Sequence, residues 1–212
     1  MNDTHLSDVS DRAPTGDGDP TQQATTSVAL KEWAAAIHGL LQGRQRILLR
    51  KGGIHEKSFI PPEAGGGFLL FPTVAHTHAD RTRAEHHDLL GAGQGDVTDD
   101  TLIIRAAVRV VGVVAVVRPE RLPEINDLHI WTDDSIRRDR VEFRPVKPLQ
   151  VLVVETLALA HPLRLDRLDA YGGCRSWVDV QTGWEGQGTP VLEGRELQRD
   201  LARVKATVGR TC

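Results

Sequence analysis

Residues 101–117, TLIIRAAVRVVGVVAVV, are the longest β-branched stretch of the chain and carry most weight in assigning its fold. The length and the valine content of this stretch favour a strand over a helix. We therefore predict one long strand, or two strands that bend at Gly112, because glycine inside a strand pattern marks a bend or bulge. The stretch 149–165, LQVLVVETLALAHPLRL, predicts a second long strand that stops at Pro162.

Shorter elements are predicted on both sides of these strands. Apolar residues recur at three- and four-residue steps from Val28 to Leu41, which predicts an amphipathic helix that starts at Ser27. The same kind of spacing over 197–208 predicts a C-terminal helix. The short strands predicted are RQRILLR at 44–50, GGFLLFPT at 66–73 and CRSWVDV at 174–180.

The order of these elements indicates the fold class. Helices at the ends of the chain, rather than between successive strands, argue against a doubly wound parallel sheet. We predict an α+β fold, with a small, mostly antiparallel and partly closed β-barrel and flanking N- and C-terminal helices. Residues 1–26 are polar and rich in Asp, Thr, Gly and Pro, which predicts a disordered tail, and residues 27–210 are predicted to form a single globular domain.

The composition narrows the function classes. The 212 residues carry a formal net charge of −3, which argues against a generally basic nucleic-acid binder and leaves room only for a local basic patch. No apolar run is long enough to span a bilayer, and the polar N-terminus does not resemble a secretory signal. With two cysteines, Cys174 and Cys212, the sequence suits a reducing cytoplasm, and we predict a cytoplasmic protein.

The most unusual short motif is RKGG, formed by Arg50, Lys51, Gly52 and Gly53 at the end of a predicted strand. Glycines let backbone amides approach an anion, and the two cations supply charge. A phosphate-binding P-loop would instead place its lysine after the glycines and before a helix, so that motif is excluded. Three interpretations stay open: a phosphate-binding corner, part of a catalytic site, or a hairpin turn with exposed basic residues. Glu56 in the same loop is either a general acid–base or a solvated carboxylate.

Histidines and tryptophans supply the remaining candidates. His76, just beyond a predicted strand, is a candidate acid–base partner for Glu56, whereas the other histidines between 78 and 87 lack the spacing of a zinc motif, and no metal site is predicted. LHIWT at 128–132 and YGGCRSWVDV at 171–180 each place a tryptophan beside polar groups. These tryptophans either stack on a base or fill the core. The residues of this kind that we take as candidate ligand contacts are His129, Trp131, Ser176 and Trp177.

Four stretches together resemble the bacterial family known as domain of unknown function 1802. They are ALKEWAAAIHGLLQGRQRILLRKGGIHE, FLLFPTVAH, LHIWT and YGGCRSWVDV, within residues 28–182. That resemblance implies kinship and no activity. Residues 101–166 are also similar, in the order and shape of their elements, to the pseudobarrel of PUA-like and EVE domains. This second resemblance implies a PUA-like barrel that binds RNA or modified bases in DNA.

Three functional hypotheses follow. The first is a binding module for single-stranded or modified nucleic acid or a nucleotide-like ligand, in which Arg50 and Lys51 meet phosphate and Trp131 or Trp177 stacks on a base. The second is a hydrolase of phosphoesters or nucleotides, with Glu56 and His76 as acid–base partners and Arg50 as charge stabiliser. The third is a protein-interaction domain. The sequence predicts no cofactor and no membrane partner.

Overall fold

The computed structural model describes residues 25–51, 67–75, 77–173 and 175–210, and their strands form one sheet. The strand order is β2-β5-β4-β3-β1-β6, with β7 beside β5. Neighbouring strands run antiparallel except β1 and β3, which are parallel. The strands are β1 (Thr25–Trp33), β2 (Ile47–Lys51), β3 (Phe68–Thr73), β4 (Thr101–Ala115), β5 (Leu149–Asp166), β6 (Trp177–Thr182) and β7 (Thr189–Pro190).

Helices flank this sheet. The α-helices are α1 (Ala34–Leu41), α2 (His78–Arg81), α3 (Asp88–Gln94), α4 (Asp133–Ile136) and α5 (Gly194–Val208). Short 3-10 segments span Ala84–His86, Pro119–Leu128 and Asp169–Tyr171, and a π-helical segment spans Arg137–Glu142. Within the described part of the chain, no helix is both long and apolar enough to cross a membrane.

The predicted partly closed barrel is wrong. The sheet is open, and among the described residues no ladder joins its edge strands β2 and β6. Ile37 and Leu40 of α1 pack in one apolar cluster with Leu30 of β1 and Leu48 of β2. Side chains of α1 therefore occupy the concave side of the sheet, where a small barrel would pack its own strands against each other.

The prediction of a helix from Ser27 was also wrong in its first half. Residues 25–33 form β1, which pairs with β3 from Ala29↔Leu69 to Trp33↔Thr73, and the helix begins only at Ala34. Apolar residues at 28, 30 and 33 suit a half-buried strand as well as a helix, so pairing with β3 decides between them. Residues 1–24, most of the predicted tail, lie outside the described residues.

The long strands β4 and β5 form the backbone of the sheet, as predicted. Their register shifts between Val110 and Gly112, an irregularity of the β-bulge kind, which typically bends a strand. A Cβ at Gly112 would lie 2.6 Å from the Leu201 side chain, so the missing side chain lets α5 pack directly on β4. α5 itself confirms the predicted C-terminal helix. β5 continues past Pro162 to Asp166, because a second register irregularity accommodates the residues around the proline.

Candidate functional site

Arg50, at the end of β2, reaches across the concave side of the sheet to the end of β1. Its Nη2 donates to Glu32 Oε2 at 2.6 Å and to the backbone oxygen of Lys31 at 2.8 Å. Glu32 is buried, and its other oxygen accepts from the Trp33 amide at 2.8 Å. These contacts connect β2 with β1, although three strands lie between them in the sheet. They give Arg50 a structural role in addition to its predicted contact with a ligand.

Lys51 contacts backbone carbonyls at the end of the π-helical segment and in the turn that follows it. Its Nζ donates to the backbone oxygens of Val141, Phe143 and Arg144 at 3.1, 2.7 and 3.2 Å. Arg144 has a φ of 51°, a left-handed conformation uncommon outside glycine. Burial lowers the pKa of Lys51 from its ordinary value. The ammonium group therefore supports an unusual turn, and its contact with a phosphate stays a prediction. Gly52, Gly53 and Glu56, the rest of the predicted corner, lie outside the described residues.

An aromatic stack lies beside the Arg50–Glu32 pair. The rings of Trp33 and His78 stack with centroids 3.7 Å apart, and Trp131 meets Trp33 edge-on at 4.7 Å. The Arg81 guanidinium carbon lies 5.6 Å from the centre of the Trp33 ring. Burial, with a smaller contribution from Arg81, lowers the pKa of His78 to about 4, although the carboxylate of Glu32 acts in the opposite direction. His78 is therefore neutral at pH 7 and its ring can accept a proton or hydrogen bond.

LHIWT lies in the interior. His129 is fully buried, and its Nδ1 accepts from the Trp131 amide at 3.2 Å. Burial, followed by the charge of Arg83, lowers the pKa of His129 to about 3. Arg83 also donates to the backbone oxygens of Asn126, His129 and Trp131, which fixes this segment. With an exposed fraction of 6%, Trp131 offers no open face for a base, so these contacts favour its role in the core.

The remaining predicted residues lie on the other side of β1. Trp177 is half-buried and meets Phe68 edge-on at 4.9 Å. The backbone oxygen of Ser176 accepts from the Lys31 amide at 2.8 Å, and Lys31 Nζ donates to the oxygens of Gly172 and Gly173. This region is continuous with β6 and is separate from the stacked aromatic rings. His76, the candidate acid–base partner of Glu56, and Cys174 lie outside the described residues.

Three arginines interact electrostatically with one another, and we call Arg50, Arg81 and Arg140 the arginine cluster. Of these, Arg81 lies over the Trp33 ring. Arg50 pairs with Glu32, and Arg81 Nε pairs with Asp139 Oδ2 at 2.9 Å. Arg140 has no carboxylate within ion-pair distance among the residues described here, and its one hydrogen bond is a long 3.5 Å contact with the backbone oxygen of Asp139. Burial, then repulsion by Arg50, lowers the pKa of Arg140, although the carboxylates of Glu32 and Asp139 act in the opposite direction. Three guanidinium groups thus share two carboxylates, and the cluster keeps one excess positive charge.

Arg140 was missed in the sequence because it lies in RRDR at 137–140, a charged run that is typical of a solvated surface. The density of arginine in that run was the available signal. Metal ligation has no comparable support: over the described ranges, no three His, Cys, Asp or Glu side chains are grouped closely enough to hold a metal ion.

Comparison with known proteins places the chain in a family. The sequence model of the family described as Domain of unknown function (DUF1802) matches residues 29–203. The chain belongs to this family. Searches of curated proteins and of solved structures found no match. The resemblance to PUA-like and EVE domains is not confirmed, and the open sheet contradicts the barrel that it implied.

The DUF1802 match, residues 29–203, contains the segments that contact the end of β1. Glu32 of β1 accepts from Arg50, one residue before the end of β2. Thr73 Oγ1, at the end of FLLFPT, donates to the Glu32 backbone oxygen at 3.0 Å. LHIWT adds Trp131 to the stacked rings. Segments that are distant in the sequence therefore assemble one polar and aromatic site in this DUF1802 member.

Proposed function

We propose that the protein binds a phosphate-bearing ligand, a nucleotide or a nucleic acid, at the arginine cluster. The observation that carries the proposal is Arg140, a half-buried guanidinium without a carboxylate partner among the described residues and next to a second guanidinium, Arg50. A cation that is partly removed from water beside a like charge is costly unless an anion compensates it. A phosphate group would supply this charge and accept two parallel hydrogen bonds from the planar guanidinium.

The other two arginines of the cluster would contribute positive electrostatic potential from fixed positions. Arg50 and Arg81 are held by Glu32 and Asp139, so they would add positive potential without the freedom to wrap around a ligand. Thr73 and Glu32 hold the ends of β3 and β1 together beneath the site. The site is thereby formed before a ligand arrives, which reduces the entropy lost on binding.

The hydrolase hypothesis needs Glu56 and His76, and both lie outside the described residues. His78 and Glu32 are not substitutes, because Glu32 already accepts from Arg50 and the Trp33 amide while His78 is stacked on Trp33. Binding therefore has the more direct support, and hydrolysis stays a hypothesis, as does the protein-interaction domain.

Binding of AMP and of inorganic pyrophosphate, measured by isothermal titration calorimetry, tests the proposal. We expect Arg140→Ala to weaken binding about 10- to 100-fold, since a hydrogen bond to a charged group is worth about 1.5–3 kcal/mol. The matched control is Arg138→Ala, which removes an exposed arginine already paired with Asp134 at 2.7 Å and should leave affinity unchanged.

Salt dependence gives a second criterion for the same proposal. Affinity should fall as the salt concentration rises, because phosphate contacts in a partly exposed site are screened. Equal affinity of the wild type and Arg140→Ala for both probes, or no binding of either probe, would overturn the proposal.

A further inference from the structure

The turn that follows the π-helical segment exposes apolar side chains a few residues after Arg140 of the arginine cluster. Phe143 is 53% exposed and Val146 is 93% exposed. The Arg144 guanidinium carbon lies 4.8 Å from the centre of the Phe143 ring, within the range of a cation–π contact. Isolated exposed apolar residues are common on protein surfaces, but here an exposed aromatic ring carries a guanidinium contact and follows Arg140 of the arginine cluster by three residues.

Lys51 holds this turn in place. Its Nζ bonds to the oxygens of Phe143 and Arg144, and the Arg144 backbone keeps its left-handed φ of 51°. Backbone in this region costs free energy for a side chain with a Cβ and is retained where surrounding contacts enforce it, often at ligand sites. The π-helical segment Arg137–Glu142 directly before the turn is a second uncommon conformation that occurs frequently at functional sites. The exposed ring is therefore presented by a fixed backbone.

The charges around the turn are unequally compensated. Arg137 pairs with Asp134 and Glu142, and Arg138 pairs with Asp134. Arg140 and Arg144 have no such carboxylate among the residues that the structure describes. The arginines of this segment without a carboxylate partner are therefore Arg140, three residues before Phe143, and Arg144, directly after it, in a chain whose formal net charge is −3.

We infer that the ligand of the arginine cluster is a single-stranded nucleic acid, which would place one phosphate at Arg140 and stack an adjacent base on Phe143. The inference rests on the proposed function and specifies its ligand. A ring with a free face binds any base, whereas guanidinium groups bind the phosphates between bases. A duplex keeps its base faces stacked internally and would offer Phe143 only phosphate and sugar. An acidic protein segment would supply charge to both arginines but no flat partner for the ring.

Fluorescence anisotropy of labelled homopolymers tests this inference. Oligo(dT) and oligo(U) of about 12 nucleotides fall within the roughly 4–16 nucleotide range of single-strand sites. We expect both to bind more tightly than AMP and than a duplex of the same length. Phe143→Ala should weaken oligomer binding about tenfold, because the stacked base loses its aromatic partner, and should leave the affinity for inorganic pyrophosphate, which has no base, unchanged. Phe143→Leu, which keeps apolar bulk without an aromatic face, should resemble Phe143→Ala.

The outcomes separate this inference from the proposed function. If AMP binding depends on Arg140 while the oligomers bind no more tightly than AMP and ignore Phe143→Ala, the inference fails and the proposed function stands. Oligo(Glu) competing as well as oligo(dT) would also overturn it, in favour of an acidic protein partner. If pyrophosphate, AMP and the oligomers all fail to bind, both proposals fail. Because Phe143 is exposed, an unchanged urea midpoint should confirm that the Phe143 variants are folded.

Discussion

The contact between Arg50 and Glu32 should contribute strongly to stability, although it joins two charged side chains. The side chains of Arg50 and Glu32 are 15% and 7% exposed, and their closest atoms are 2.6 Å apart. Removing one partner of such a pair leaves an uncompensated buried charge and costs about 3–5 kcal/mol. We expect Glu32→Gln and Arg50→Met each to lower the free energy of unfolding by about this amount. For a chain of this length the melting temperature would fall by roughly 6–20 °C.

The double variant Glu32→Gln/Arg50→Met supplies the sharper measurement. Because neither charge remains, it should be less destabilised than the sum of the single variants, with a coupling energy of about 0.5–3 kcal/mol. Urea unfolding followed by tryptophan fluorescence reports all three variants, since Trp33 adjoins Glu32 in the chain. The control is Arg121→Met, which breaks an exposed pair with Glu124 of similar length, 2.7 Å, and should leave the urea midpoint unchanged.

Two results would refute this reasoning about the pair. One is an Arg50→Met variant whose unfolding free energy differs from wild type by less than about 1 kcal/mol, the size expected of an ordinary surface substitution. The other is strict additivity of the two single variants, which would show that the side chains do not interact in solution. Either result would also remove the structural role that the contacts assign to Arg50 and would favour its predicted role as a ligand contact.

Further predictions concern helix packing, acid stability and the turn held by Lys51. A Cβ at Gly93 would lie 2.9 Å from atoms of α1, so Gly93→Ala should lower the unfolding free energy by about 1–3 kcal/mol in urea titrations. Gly91→Ala in the same helix meets nothing within 4 Å and should raise it by up to about 1 kcal/mol. The pKa of His78 is lowered from 6.5 to about 4, so the unfolded chain binds more protons between these values and stability should fall as pH decreases through that window; the slope should be shallower in His78→Gln. Lys51→Met should accelerate amide hydrogen exchange across residues 143–147 and leave exchange in β5 unchanged, because three carbonyls lose their donor.

Local sequence patterns determined the long strands and the last helix better than they determined the start of the domain. β4, its irregularity at Gly112 and α5 each depend on a pattern within one segment, and each was predicted. β1 was not predicted, because its apolar residues are spaced in a way that suits a helix as well as a strand. It forms a strand because it pairs with β3, some 40 residues later. The openness of the sheet likewise depends on α1 packing against several strands, which no single segment specifies.

The same distinction explains why RKGG could be recognised as unusual but not interpreted. Two adjacent cations at a strand end can meet a ligand or the protein itself, and the choice depends on which groups the fold brings near. Glu32 is 18 residues away from Arg50, and the carbonyls that Lys51 contacts are 90 to 93 residues away. Neither pairing has a local signal. Once both cations have internal partners, the excess charge falls on Arg140, and an anionic ligand is most simply sought there.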